Sequence, residues 1–142
     1  GKHYTYGEMY MEMLHLGELF KQLGLQKGDH IAICGTNSAH WAIAYLAIAA
    51  YQGVVVTVLH NQSPEDIARQ IDFSDAKALF TNELIWKEIS VSFADEGNKL
   101  AFVGGFDQNH GFERGNPKKV KEMDFLEQIS ILQISFHQMQ FL

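Results

Sequence analysis

The feature that most constrains the fold is the stretch from Gly24 to Leu59, which reads as strand, helix and strand. An apolar run over His30–Gly35 predicts a buried strand. Helix-forming residues over Ala39–Gln52 predict a helix that stops at Gly53, and the valines of Val54–Leu59 predict the second strand. Because parallel strands need a long crossover, this unit is typical of parallel sheets. The chain is therefore predicted to be an α/β protein with a parallel sheet of about four strands flanked by helices.

The other elements follow from helix-start signals and short apolar runs. Thr5 and Glu8 form a capping box that begins a helix, and Gly24 ends it as a residue able to adopt a positive φ. The segment Ser63–Asp66 starts another helix with a capping serine, a proline at the first helical position and two acids. Two further strands are predicted at Lys77–Thr81 and at Leu100–Val103, and a helix that begins after Asn82 is predicted between them.

The two long helices differ in their apolar pattern. The first should bury one stripe, formed by Tyr6, Met9, Met13, Leu16, Phe20 and Leu23. Its polar residues should lie off that stripe: Glu8, Glu12, His15, Glu18 and Gln22. The helix Ala39–Gln52 is apolar nearly all round, so we expect it to be buried on more than one side and covered by a further domain. The run Trp41–Leu59 has no charged residue, but its break at Gly53 favours a buried helix and strand over a membrane span.

Length and composition indicate one domain and exclude some partners. The 142 residues suffice for a single α/β domain, with residues 104–119 as a loop and 120–142 as a tail. The apolar spacing of the tail fits a helix, although Ile129–Phe136 also fits a strand. A net charge of −6 without a basic stripe argues against nucleic acid, and Lys118–Lys121 is interpreted as a loop or helix start. One cysteine suits a reducing compartment, which predicts a cytoplasmic protein.

The candidate ligand site is the loop Cys34–Ser38, which follows the first strand at the place where α/β proteins bind ligands. Helix N-termini bind anions, but the loop has one glycine rather than a dinucleotide fingerprint. Ordinary capping by Asn37 or Ser38 is the preferred interpretation, with phosphate binding as the alternative. Cys34 could act as a nucleophile only with a nearby base, and His40 lies one capped turn away, so a buried structural cysteine is favoured.

The remaining polar residues carry no recognisable chemistry. His60 at a strand end is interpreted as a surface residue, and the seven histidines show no metal-ligand spacing. The acid pairs Glu65–Asp66 and Asp95–Glu96 are explained by helix starts and turns. We therefore assign no catalytic or metal-binding residue, and the cofactor-binding residues stay unknown.

A series of segments along the chain together resembles the N-terminal part of adenylate-forming, or AMP-binding, enzymes, and most closely the long-chain fatty acid–CoA ligases. The resemblance covers Tyr4–Thr81 well and fades through Val103, and the tail does not share it. The segments, in order, are Tyr4–Tyr6, Leu23–Ile33, Asn37–Trp41, Leu46–Val56, Ser63–Ile67 and Ser74–Phe80.

The resemblance implies that the chain is part of a larger enzyme that forms an acyl-adenylate from a fatty acid and ATP and then an acyl-CoA. ATP, Mg²⁺ and coenzyme A are implied for that enzyme and none for this fragment. The family's phosphate loop and catalytic lysine have no counterpart here, so we expect the chain to be inactive alone. Two alternatives stay open: a stand-alone nucleotide- or small-ligand-binding domain, and a module that self-associates through exposed apolar surface.

Overall fold

The structure, a computed structural model, describes residues 4–36, 38–94, 98–105 and 121–124. Its helices are α1 Tyr6–Gln22, α2 Ala39–Ala50, α3 Pro64–Phe73 and α4 Glu83–Ile89, and a 3₁₀ turn, Ser90–Phe93, continues α4. Its strands are β1 His30–Cys34, β2 Val54–Val58, β3 Ala78–Thr81, β4 Phe102–Gly105 and β5 Lys121–Asp124.

The strands form one sheet in the order β2-β1-β3-β4-β5, and every pair is parallel. The register aligns Cys34 at the end of β1 with Val58 of β2 and with Thr81 of β3. All carboxyl ends of the strands therefore meet at one edge, which we call the carboxyl edge. The predicted fold class is confirmed.

Helices cover both faces of the sheet, which gives two apolar cores. One face packs against α1 and α2 and includes Leu16, Phe20, Ile43, Ile48 and Phe80. The other packs against α3, α4 and the 3₁₀ turn and includes Ile67, Ile71, Leu79, Trp86 and Phe93. Because side chains alternate along a strand, the successive apolar residues of β1 and β3 supply both cores.

The start of α1 matches the sequence prediction, whereas its buried stripe is rotated from the predicted one. The Glu8 amide donates to Thr5 Oγ1 at 3.1 Å, and the Thr5 amide donates to the Glu8 carboxylate at 3.4 Å. The prediction was wrong for Tyr6, which is 94% exposed, and for His15, which is 5% exposed. The reason is tertiary, because steps of three and four back from Leu16 lead equally to Tyr6 or to Thr5. The sheet and α2 bury the side of α1 that carries His15, Leu16, Leu19 and Phe20.

Helix α2 ends at Ala50, two residues before the predicted end at Gln52. The left-handed residue is Gln52, with φ 67°, and not Gly53. At Gly53 a Cβ atom would lie 3.1 Å from Ile48 Cγ2 and 3.3 Å from the Asp29 carbonyl oxygen. Gly53 is therefore required for the close approach of three segments, and Gln52 reverses the chain.

The outer face of α2 is exposed within this chain. The helix buries His40, Ile43, Ala44, Ala47 and Ile48. On the opposite side Tyr45 is 40% exposed and Leu46 is 47% exposed. Burial on more than one side is thus not provided by the described residues, and a covering domain stays a proposal.

The fifth strand is an addition to the predicted four. Lys121, placed by sequence in a loop or helix start, begins β5 instead, and β5 pairs with β4. The rest of the predicted loop and of the tail lies outside the described residues. Within the part of the chain that the structure describes, no helix combines the length and hydropathy needed to cross a bilayer.

The turn before β1 is held by Asp29, whose side chain is 13% exposed. Its carboxylate accepts from the Gln26 amide at 2.7 Å and lies 3.0 Å from Lys77 Nζ. Burial alone would raise the pKa of Asp29, but the Gln26 amide, Lys77 and the nearby His30 outweigh it and lower the pKa. The ionised form therefore stabilises the fold above the unfolded pKa, and this contribution is lost as the pH falls through the lowered folded value.

We expect Asp29→Asn to lower the free energy of unfolding by about 1 kcal/mol at pH 7, because the amide keeps the shape but loses the charge. The difference from wild type should shrink as the pH falls below about 4. Urea titrations between pH 3 and 7 measure it, with the exposed Asp72→Asn as the control. A difference that is constant over this pH range would contradict the assignment.

Candidate functional site

The carboxyl edge is the candidate site, because strand order reverses there between β1 and β3. From β1 the chain moves outward to β2, then crosses back over β1 to β3 and continues to β4. Ligands of open α/β sheets bind in the crevice at such a switch point. The sequence-predicted loop Cys34–Ser38 lies at this point.

Two fully buried side chains lie next to each other across the switch point. Cys34 and Thr81 are register partners, and both are 0% exposed. Burial raises the pKa of the Cys34 thiol to about 11. The Thr81 hydroxyl has no hydrogen-bond partner among the described residues. A thiol held protonated in an apolar setting is a poor nucleophile, which supports the structural interpretation of Cys34.

The N-terminus of α2 is closed by a serine. Ser38 Oγ accepts from the Trp41 amide at 3.1 Å, so of the two residues predicted to cap this helix Ser38 makes the bond. Asn37 lies outside the described residues. The cap occupies one of the amide donors that would otherwise face an anion.

His40 is held on the side of α2 that faces the start of α1. Its Nε2 lies 2.9 Å from the Tyr4 hydroxyl, and the two rings meet edge to face. Burial, then the charge and hydrogen bond of Glu12 and the charge of Glu8, raise the pKa of Tyr4 to about 12. The Tyr4 hydroxyl thus donates to Glu12 and accepts from the Nε2–H of His40.

This Tyr4–His40–Glu12 group is a polar link between the N-terminal segment, α1 and α2. Because its Nε2 is bonded to Tyr4, His40 does not serve as a base for Cys34. Sequence reasoning missed Tyr4 as the partner of His40 and Glu12 as the partner of Tyr4. The signal available was Glu12 itself, a carboxylate four residues before the buried Leu16 and hence on the buried stripe.

The other candidate residues are dispersed. His60 is exposed beyond the end of β2. In the first turn of α3, Asp66 forms an ion pair with Arg69 at 2.8 Å, and the Asp66 amide donates to Ser63 Oγ at 3.2 Å. Asp95–Glu96 lies outside the described residues. Within the described ranges no group of three or more His, Cys, Asp or Glu side chains could hold a metal ion, so no magnesium ligand is assigned.

We expect Cys34 to resist alkylation or disulfide exchange in the folded chain, because the thiol is buried and its pKa is raised. Reaction with Ellman's reagent at pH 8 should be slow and should become complete in denaturing urea. The single cysteine makes the readout unambiguous. Rapid stoichiometric reaction under native conditions would show that Cys34 is accessible and activated.

Over part of its length the chain is similar in sequence to known CoA ligases and synthetases. The chain is 29% identical over 82 residues to 4-coumarate–CoA ligase 3 of Arabidopsis thaliana, covering 58% of this chain and 15% of the relative. It is 34% identical over 77 residues to acetyl-coenzyme A synthetase of Vibrio vulnificus, covering 54% of this chain and 12% of the relative. The chain thus spans a small part of the curated relatives that it matches.

A solved structure shares the fold. The crystal structure of coronafacic acid ligase from Pectobacterium brasiliense superposes with a TM-score of 0.77 at 16% identity. The match covers 92% of this chain and 25% of that protein. The AMP-binding enzyme family matches residues 1–127, which is most of the sequence. The chain therefore belongs to the family of AMP-binding enzymes.

Proposed function

We propose that this chain is the N-terminal scaffold of an AMP-forming CoA ligase that acts on long-chain fatty acids in the cytoplasm. The observation that carries the proposal is the family match over residues 1–127. It is supported by the carboxyl edge, where the buried Cys34 and the engaged His40 offer no nucleophile–base pair. The role of these residues is to shape a wall of the larger domain.

The proposed reaction of the whole enzyme has two steps. A fatty acid carboxylate attacks the α-phosphate of ATP, which releases pyrophosphate and leaves an acyl-adenylate. The thiol of coenzyme A then attacks the acyl carbonyl, and AMP leaves. Mg²⁺ would stabilise the phosphate charge when bound, and the family resemblance implies that its ligands lie elsewhere in the enzyme.

The most specific part of the proposal is the substrate, a long-chain fatty acid. It is supported by the order of sequence segments from Tyr4 to Thr81, whereas the relatives are ligases of varied acids, including 4-coumarate and acetate. The complete reading frame that contains this chain, expressed as one protein, tests it. We expect AMP and acyl-CoA to form faster with palmitate than with acetate or 4-coumarate. The reverse order would contradict the fatty acid, and no AMP with any acid would contradict the ligase.

A second candidate is a nucleotide-binding domain that acts by itself. The observation that favours it is the start of α2 at the switch point, because a helix N-terminus presents amide donors to an anion. A thermal-shift titration of the chain with ATP and Mg²⁺ separates the two. A ligand at one hundred times its Kd should add about 2.7 kcal/mol of stability. No shift at millimolar ATP would exclude this candidate.

A third candidate is a self-association module. The exposed Tyr45 and Leu46 on α2, with Tyr10 and Leu14 on α1, are the observation that favours it. Size-exclusion chromatography with light scattering measures the mass of the chain in solution. A monomer across a wide concentration range would exclude this candidate.

A further inference from the structure

A groove runs between α1 and α2 on the outside of the molecule, away from the carboxyl edge. Its volume is about 430 Å³, which lies within the usual range of small-molecule sites. Lys27 and Gln52, which precede β1 and β2, place one end of the groove near the amino ends of the strands. The walls are mostly apolar and include Met13, Leu14, Gly17, Ala47, Ala50 and Tyr51.

The groove is elongated along α1. Its lining residues on α1 extend from Met13 to Lys21, which corresponds to about 12 Å along the helix axis. Gly17 lies in the middle, and a Cβ atom built there would meet nothing within 4 Å. The space above Gly17 is therefore open, and it suits a narrow, flexible chain.

The polar residues of the groove gather at one end. Lys21 and Lys27 lie there, and Lys21 Nζ is 3.3 Å from the carboxylate of Glu18, which is one turn back along α1. In the described part of the chain no carboxylate lies within ion-pair distance of Lys27. Two ammonium groups against one carboxylate leave a positive charge at this end, in a chain whose net charge is −6.

Carbonyl groups near the ends of the two helices are paired within the backbone. On α1 the carbonyls of Leu19, Phe20 and Lys21 accept from backbone amides of residues 23–25. On α2 the carbonyls of residues 47–49 accept from the backbone amides of Tyr51, Gln52 and Gly53. These carbonyls do not compete as acceptors for the ammonium group of Lys27. Since no carboxylate in the described part of the chain pairs with it either, this group can pair with an anion from solution.

We propose that the groove binds a free medium-chain alkyl carboxylate, with its chain lying over Gly17 and its carboxylate at Lys27. Apolar walls with a few polar groups at one end are typical of sites that orient an amphipathic ligand. The site lies outside the carboxyl edge, and the inference does not rest on the proposed function.

Isothermal titration of the full chain with decanoate, without ATP, tests the charge and the length of the ligand. We expect decanoate to bind and octanoate to bind about tenfold more weakly, because two buried methylenes are lost. Decanol and decylamine should bind much more weakly than decanoate. Equal binding of decanoate and decylamine would overturn the anionic site, and no binding of decanoate would overturn the groove.

Substitutions locate the ligand. Gly17→Leu should fill the groove and abolish decanoate binding, whereas Gly7→Leu, on the same helix but outside the groove, should leave it unchanged. Lys27→Gln should weaken decanoate about tenfold and leave decanol unaffected, which keeps the test valid even where Gly17→Leu fails to fold. Retained binding in Gly17→Leu, or equal loss in Gly7→Leu, would place the ligand elsewhere.

A sedimentation experiment with lipid vesicles tests whether the groove binds the free acid or a membrane surface. After sedimentation with phosphatidylglycerol vesicles the protein should stay in the supernatant, because the groove binds a single free alkyl carboxylate. Co-sedimentation that Gly17→Leu abolishes would overturn the free carboxylate in favour of a lipid surface.

Discussion

Replacing Phe80 with alanine is expected to lower the free energy of unfolding by about 3–5 kcal/mol. Phe80 is fully buried on β3, near the centre of the sheet. Its ring meets those of Phe20 on α1 and Phe102 on β4 edge to face, with centroids 6.0 and 5.9 Å apart. Removal of the ring loses these contacts and leaves a cavity between the sheet and α1, which the neighbouring rings fill only in part.

Urea denaturation followed by circular dichroism measures the effect of Phe80→Ala. The matched control is Phe73→Ala at the end of α3, where the ring is 88% exposed and the change should stay within about 0.5 kcal/mol. Equal effects of the two substitutions would contradict the assignment of Phe80 to the core.

Substitution of Gly53 by valine is expected to cost about 1–3 kcal/mol. The new Cβ would press on Ile48 and on the Asp29 carbonyl, and the branched methyls would add to a contact that is already tight. The backbone at Asp29 cannot easily move away from the new side chain, because the Val54 amide donates to the same Asp29 carbonyl at 2.9 Å.

The neighbouring residue provides a control of opposite sign. Gln52 has φ 67°, a conformation that costs a non-glycine residue energy, so Gln52→Gly should raise stability by up to about 1 kcal/mol. Both variants are compared by urea denaturation. A Gly53→Val variant as stable as wild type would contradict the tight contact at Gly53, and a destabilised Gln52→Gly would contradict the left-handed conformation of Gln52.

These two neighbours show what sequence reasoning can and cannot resolve. Periodicity and the change from alanine-rich to valine-rich residues are enough to predict β1, α2 and β2 within two residues. Which of Gln52 and Gly53 takes the left-handed conformation depends on how closely Asp29 and Ile48 approach, and this is a tertiary property. Local residue preferences therefore locate the turn but not its geometry.

The same limit explains the errors on α1 and β5. Steps of three and four along a helix leave its buried stripe uncertain by one position. The packing of α1 against the sheet and α2 decides that His15 is buried and Tyr6 is exposed. The strand Lys121–Asp124 has three charged residues and one apolar residue, so it carries no strand pattern of its own. Its pairing with β4 makes it a strand.

The candidate site was predicted in location but not in its contacts. The loop Cys34–Ser38 lies at the switch point, as strand order requires, and Ser38 was one of two predicted caps. The Tyr4–His40–Glu12 link joins residues from three separate elements. A single sequence contains the residues of such a link but not their distances.

The central claim is that this chain shapes an AMP-forming ligase without carrying its chemistry. The most direct test incubates the purified chain with ATP, Mg²⁺, coenzyme A and palmitate and quantifies AMP and palmitoyl-CoA by mass spectrometry. We predict that neither product exceeds the protein-free control. Formation of AMP and palmitoyl-CoA in equal amounts, over several turnovers, would contradict the claim.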